Sequence, residues 1–292
     1  MQKVLWSSLR LKQFIGIVVI LFVTIPKVSH STESLILGIH PYRSHQEIRR
    51  MFMPLADFLS HRTGIPVEVR IGNSYDAHFN AIIQGQVDIA FIGPALFVQL
   101  IDKGAVPNLL ARLEVNGRPT FTGKIFTREG SDIRSLKDLK GRHFAFGSYS
   151  STMSHLVPRQ MIFEAGIDIE DFASYHHFGS HDNVALAVLA GDADAGAVKE
   201  AVFEKYRSKG IVSIATTPEI SEHLFIAPAD SDPDRVSLLQ HHLLSLSAGK
   251  PEIHQVLSPI KSSATALVSV DAGDYQQLQK IIKDLRIRGV VK

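Results

Sequence analysis

Short apolar runs alternate with apolar residues at helical spacing along nearly the whole chain, and that order admits few folds other than a layered α/β architecture. Leu35–Ile39 reads as a strand, followed by a turn at His40–Ser44. Ile48, Met51, Phe52, Leu55, Phe58 and Leu59 then recur with the period of a helix, which Pro54 is expected to kink and Gly64 to stop. Val67, Val69 and Ile71 alternate as a strand, and Tyr75–Ile83 is the next helix. Val87–Ile92 is a near-continuous apolar strand ending in Gly93-Pro94, with Pro94 suited to the first turn of a helix over Ala95–Lys103. Strands at Leu109–Leu113 and Lys124–Thr127 follow.

Near Gly123 the count restarts. A short helix at Ser135–Leu139 precedes strands at His143–Phe146, Phe172–His177, Ala195–Val198 and Ile211–Ala215, with helices at Asp182–Ala190 and Ala201–Ser208 between them. Leu224–Ala227, Arg235–Ser247 and Tyr275–Leu285 are more than this second set needs. Roughly 260 residues outside the N-terminal segment exceed one small core. The sequence therefore predicts two lobes with a cleft between them: residues 35–122 plus 216–292, and residues 123–215.

Residues 1–31 are expected to stand outside that fold. Lys3, Arg10 and Lys12 precede the apolar run Phe14–Ile25, and Pro26 and small or polar residues follow, the three-part pattern of a secretory signal. The run is short for a membrane span, and Ser29 and Ser31 make a mediocre cleavage site, so an uncleaved anchor is the alternative. Export into a Gram-negative periplasm follows as an expectation. With no Cys in the chain, disulfides, thiolate metal sites and a lipidated cysteine are excluded. Four of the 31 Lys and Arg lie in this segment and none of the 29 acidic residues, which leaves the rest slightly acidic. Without a basic tract, a nucleic-acid surface is not expected.

The run His143–Gly166 (HFAFGSYSSTMSHLVPRQMIFEAG) carries the densest chemistry. It reads as a strand, a turn of small and hydroxylated residues at Gly147–Ser151, and an amphipathic helix. Unpaired N–H groups at a helix start, beside Ser150, Ser151, Thr152 and Ser154, form a neutral cradle for a small anion. The plainer role for Ser150 or Ser151 is an N-cap.

Four motifs sit at or near the C-terminal ends of predicted strands, where open α/β sheets bind ligands. They are HPY (His40–Tyr42), GQVDIAFIGPALFV (Gly85–Val98), GSYSSTMSHLVP (Gly147–Pro158) and GSHDNVALAVLAGDADAGAV (Gly179–Val198). With SLKDLKG (Ser135–Gly141) and ALVSVDAGDY (Ala266–Tyr275), this order resembles the PhnD-like phosphate, phosphite and phosphonate periplasmic binding proteins over about residues 35–280. The resemblance implies a type II periplasmic binding fold, two α/β lobes closing on a ligand. It places the family's Ser-Thr pair on Ser151 and Thr152, with Ser154 and His155 following, and its His-acid pair on His181 and Asp182. An acid beside an anion suits a ligand with a proton or an amine to donate. Tyr42, Gly93 and Pro94 complete the implied site, with Phe97 where a hydroxylated aromatic is usual. Three positions depart from the pattern: Met153 replaces a hydroxyl residue, Phe97 lacks its hydroxyl, and Lys199 stands where an acidic or polar residue is common.

The 14 histidines do not form a metal motif: there is no HExxH, and His176 and His177 on a strand point to opposite faces. No metal or other cofactor is expected. No nucleophile elbow or catalytic carboxylate pair is recognisable, so no enzyme activity is expected either. The resemblance implies a monomer that captures a small phosphorus oxyanion for the membrane permease of an ABC importer. The alternative partner is a membrane sensor, a kinase or cyclase.

Overall fold

The computed structural model describes residues 34–291, so the proposed signal or anchor lies outside the described residues. Strands at Leu35–Ile39, Val67–Ile71 and Ile89–Ile92 pair in parallel, with Leu35–Ile39 in the middle. Leu224–Ala227 then adds antiparallel to Ile89–Ile92, followed by Asn108–Val115 and Ala264–Val268, giving a six-stranded sheet. A second, five-stranded sheet has the order Ile211–Thr216, Gly123–Arg128, Ala195–Lys199, His143–Phe146, Ser174–His177. Its last three strands are parallel and its first two antiparallel to their neighbours. The chain thus leaves the first sheet after Val115 and returns to it at Leu224. Where the two passages meet, Thr120–Phe121 and Ile220–Ser221 pair as a two-stranded ribbon.

Apolar alternation explains which faces are buried. Leu35, Leu37 and Ile39 of the first strand pack with Phe52, Leu55, Leu59 and Phe91 in the core of the larger sheet. The helix His45–Thr63 runs on through Pro54 without ending there; Ser44 caps its start and Gly64, at φ 72°, closes it in the left-handed conformation. In the smaller sheet Phe144, Phe146, Ile162 and Phe172 fill one face, and Val184, Val188, Phe203 and Tyr206 the other. A further cluster joins Leu96, Phe97, Tyr275, Leu278 and Ile282 to Met153, Leu156 and Val157. Residues that follow strands of different sheets therefore share one core.

The segment after His143–Phe146 differs from the single helix expected. Residues Thr152–Leu156 form one wide π-type turn, in which the Leu156 N–H reaches the Ser151 carbonyl at 3.0 Å. An α-helix, Val157–Glu164, continues from it. Such wide turns are frequent at functional sites, where they re-aim side chains. The short helix Glu252–Val256 and the strand Ala264–Val268 also form without having been predicted. Among the described residues no helix is long and apolar enough to cross a membrane.

Candidate functional site

Parallel strands end at one edge of each sheet, and the two edges face each other across a narrow pocket. Its walls include His40 and Tyr42 after the first strand, Gly93 after the third, Ser150–Met153 after His143–Phe146, Lys199 at the end of Ala195–Lys199, and His181 and His223. The pocket opens past Lys199 and Phe121 into an outer cavity of about 630 Å³.

Hydrogen-bond polarity around Ser151 follows from its partners. The Lys199 backbone N–H donates to His181 Nδ1 at 3.1 Å, so that nitrogen is unprotonated. Burial, with the Lys199 charge beside it, holds His181 well below its ordinary pKa and keeps the ring neutral. Its proton is therefore on Nε2, which lies 3.3 Å from Ser151 Oγ and donates to it. The Ser154 N–H donates to the same oxygen at 3.1 Å, the cap expected of a serine here. Both lone pairs of Ser151 Oγ are engaged, and its hydroxyl proton is left to point at an acceptor.

Thr152 is fixed from the other side. Its Oγ1 accepts the Ala95 N–H at 3.1 Å, an unpaired donor of the helix Pro94–Asp102.

Lys199 supplies the positive charge. Its ammonium lies 4.3 Å from the centroid of the Tyr42 ring, and no salt bridge to it is found among the described residues. Burial, with Lys261 and Arg43 adding to it, lowers its pKa to about 7. Glu222 acts against that lowering, and its carboxylate accepts from Lys261 Nζ and from His223 Nδ1, both at 2.6 Å. Burial pushes the Glu222 carboxyl up, but Lys261 and His223 together hold it well below the usual carboxylate range.

The residues proposed from sequence divide. Tyr42, Gly93, Ser151, Thr152 and His181 line the pocket. Five others are engaged elsewhere. Phe97, 1 % exposed, packs against Tyr275 at 4.7 Å between ring centroids, and its neighbour Pro94 is buried in the same helix. Ser154 Oγ turns back to donate to the Ala197 carbonyl. His155 donates from Nδ1 to the Tyr149 carbonyl at 2.8 Å and stands edge-on to Phe146, bracing the turn from behind. Asp182 accepts from Lys205 Nζ at 2.7 Å instead of lining the pocket, because it stands in the first turn of a helix one residue beyond His181. Met153, in place of the expected hydroxyl residue, meets the Thr217 hydroxyl at 3.3 Å through its sulfur.

His40, His223, Phe121 and Tyr75 line the pocket without having been singled out. His40 was legible as the neighbour of Tyr42 at a strand end. His223 was not, because it precedes a strand. Leu224–Ala227 runs antiparallel, with Leu224 opposite Ile92, so its beginning lies at the edge where the parallel strands end. No group of three His, Asp or Glu able to hold a metal is found among the described residues.

Comparison with known proteins shows what the chain is similar to. Residues 37–275 match the family model described as the periplasmic substrate-binding protein of phosphonate ABC transporters. The chain is 30 % identical over 183 residues to a phosphate-import protein, PhnD, of Mycolicibacterium smegmatis, covering 59 % of this chain and 57 % of that one. It is 27 % identical over 167 residues to a probable ABC transporter phosphite-binding protein, PhnD1, of Prochlorococcus marinus, covering 53 % and 56 %. The matched part thus spans a little over half the length of these curated relatives. The solved structure of the Prochlorococcus marinus PhnD1 with methylphosphonate shares the two-lobed fold, at a TM-score of 0.79 and 22 % identity over 87 % of this chain and 99 % of that one.

Proposed function

The chain belongs to the family of periplasmic substrate-binding proteins of phosphonate ABC transporters, and from that premise we propose that it captures a small phosphorus oxyanion (phosphonate, phosphite or phosphate) in the periplasm and delivers it to a membrane permease. The observation that carries this is the wiring of Ser151. A hydroxyl whose oxygen already accepts from Ser154 and His181 can only donate, and it lines the pocket with the Lys199 ammonium, which has no salt bridge among the described residues. That pairing suits an anion with several acceptor oxygens.

Binding in this proposal is a closing motion. Tyr42, Gly93 and His40 approach the ligand from residues 35–122 plus 216–292, and Ser151, Thr152, His181 and Lys199 from residues 123–215. The ligand stabilises the closed form because it contacts both sets at once. Burial removes competing water, so the donors act at short range in a low dielectric. Nothing in the proposal requires a covalent step. Phe97, Pro94, Ser154, His155 and Asp182 act as supports, holding the helix starts that carry the contacts.

The test is calorimetry on the exported chain against phosphate, phosphite, methylphosphonate, 2-aminoethylphosphonate, sulfate and acetate. Binding of at least one phosphorus oxyanion, lost in the Ser151→Ala, Lys199→Met double variant, is the expected result. If none binds while acetate or another carboxylate does, the proposal is wrong.

A further inference from the structure

Among the described residues, His223 is the one ring in the pocket tied to a buried carboxylate. Its Nδ1 stands 2.6 Å from Glu222 Oε1, and its backbone N–H is 3.1 Å from the same oxygen. Glu222 is 1 % exposed, and Lys261 Nζ holds its other oxygen at 2.6 Å. An ionised carboxylate only accepts, so the proton of a neutral His223 ring is committed to Nδ1. That leaves a lone pair on Nε2. This nitrogen lies 3.5 Å from where a Cβ on Gly93 would stand, in van der Waals reach of a residue that lines the pocket. His40, stacked on His223 at 5.6 Å, is wired alike: its Nδ1 donates to the Phe91 carbonyl at 3.1 Å.

We infer that His223 makes the pocket select tetrahedral oxyanions that carry a proton over those that do not, by accepting the ligand's O–H at Nε2. The inference rests on the oxyanion function proposed above and deepens it. Ser151 donates to one ligand oxygen and His223 accepts from another, so the favoured ligand has both kinds of oxygen. Hydrogenphosphonate, hydrogenphosphite and hydrogenphosphate qualify. A sulfonate or sulfate carries no proton on any oxygen at neutral pH, and would set an oxygen lone pair against the lone pair of Nε2.

The alternative for such an anion is to draw a proton from water onto His223. Burial and the Lys199 and Lys261 ammonium groups oppose it, with only the Glu222 carboxylate in favour, and the neutral His40 and His181 rings contribute no charge. Tyr42 and Phe121 add no charge. Rejection of a ligand that leaves a buried polar group facing the wrong partner is a strong form of discrimination.

The experiment is calorimetry at pH 7 with methylphosphonate and methanesulfonate, which have the same shape and differ in the proton. Wild type should prefer methylphosphonate by roughly 100-fold or more. In His223→Asn, whose amide can donate as well as accept, the preference should fall to roughly tenfold or less. Glu222→Gln should act in the same direction without touching the ring, because its amide can donate to Nδ1 and move the histidine proton to Nε2. Equal binding of the two probes by wild type, or full preference retained in a folded His223→Asn or Glu222→Gln, would overturn the inference. A wild type that binds methanesulfonate and methylphosphonate alike leaves the oxyanion function standing. One that binds no phosphorus oxyanion at all removes both.

Discussion

Thr152 Oγ1 accepts the Ala95 backbone N–H at 3.1 Å, although Thr152 follows a strand of the five-stranded sheet and Ala95 one of the six-stranded sheet. The bond links the two sheets' strand ends and satisfies a helix-start donor that would otherwise be buried unpaired.

Replacing Thr152 by Val keeps its volume and removes the acceptor. The closed form should lose about 1–3 kcal/mol relative to an open one, the cost of an orphaned buried donor. Small-angle scattering at subsaturating ligand should show a larger radius of gyration for Thr152→Val than for wild type. Identical curves would mean the bond contributes nothing to closure.

Ser151→Ala removes the hydroxyl that is committed to donating. Affinity for the best phosphorus oxyanion should drop by about 1.5–3 kcal/mol, the range for a hydrogen bond to a charged group, or roughly 10- to 100-fold in Kd. Ser151→Thr, which keeps the hydroxyl and the cap, should recover most of it. Calorimetry on the two variants decides.

Lys199 ties affinity to pH. In the free protein its pKa is lowered to about 7, first by burial, and a bound anion would raise it again. Affinity should therefore be highest below pH 7 and fall as pH rises through that value, by at most about tenfold per unit. Lys199→Met should bind more weakly at pH 6 and flatten this part of the profile. A wild-type profile unchanged between pH 6 and 9 would contradict the role assigned to the ammonium.

Stability should fall on acidification in a window set by buried histidines. Burial lowers His78 and His155 to about 4 in the fold, whereas in the unfolded chain they titrate near about 6.5. Between those values the unfolded chain binds more protons, so stability rises with pH. Each ring contributes on the order of 1.4 kcal/mol per pH unit there. Urea melts of His155→Gln and wild type at pH 4.5 and 7 should show a smaller difference for the variant.

Gly147→Ala should damage the turn itself. A Cβ there would stand 2.6 Å from Ser154 Oγ and 2.8 Å from its Cβ. The displaced Ser154 would carry with it the N–H that fixes Ser151. Destabilisation of about 1–3 kcal/mol and weaker oxyanion binding are expected, and thermal melts with calorimetry test both.

What was legible in the sequence followed from periodicity. Alternating Val67, Val69 and Ile71, the apolar run before Gly93 and the hydroxyls after Phe146 each locate a strand or its end, and the pocket gathers at those ends. The unforeseen parts depend on partners distant in sequence. The antiparallel placement of Leu224–Ala227 brings His223 to the pocket. Lys205, 23 residues beyond Asp182, takes the acid away from it. Tyr275 occupies Phe97 from a stretch 178 residues beyond it. Spacing along a chain records none of these. The wide turn at Thr152–Leu156 is a middle case, since nothing local distinguishes its sequence from an ordinary helix start.

The two passages between the sheets are tied to each other. The Thr217 N–H donates to the Gly123 carbonyl at 3.0 Å, the Gly123 N–H to Thr217 Oγ1 at 2.8 Å, and Met153 lies against both residues. A turn about that junction displaces each atom in proportion to its distance from it. In the proposed closing motion Ser151 and Thr152, close to Met153 along the chain, would sit near such a fulcrum and travel little, while the outer margins of both halves would sweep the longest arcs. In that proposed motion, a ligand of a few atoms gripped at the short end of this lever would set the spacing of surfaces it never touches, and the proposed membrane permease would register occupancy from that spacing alone.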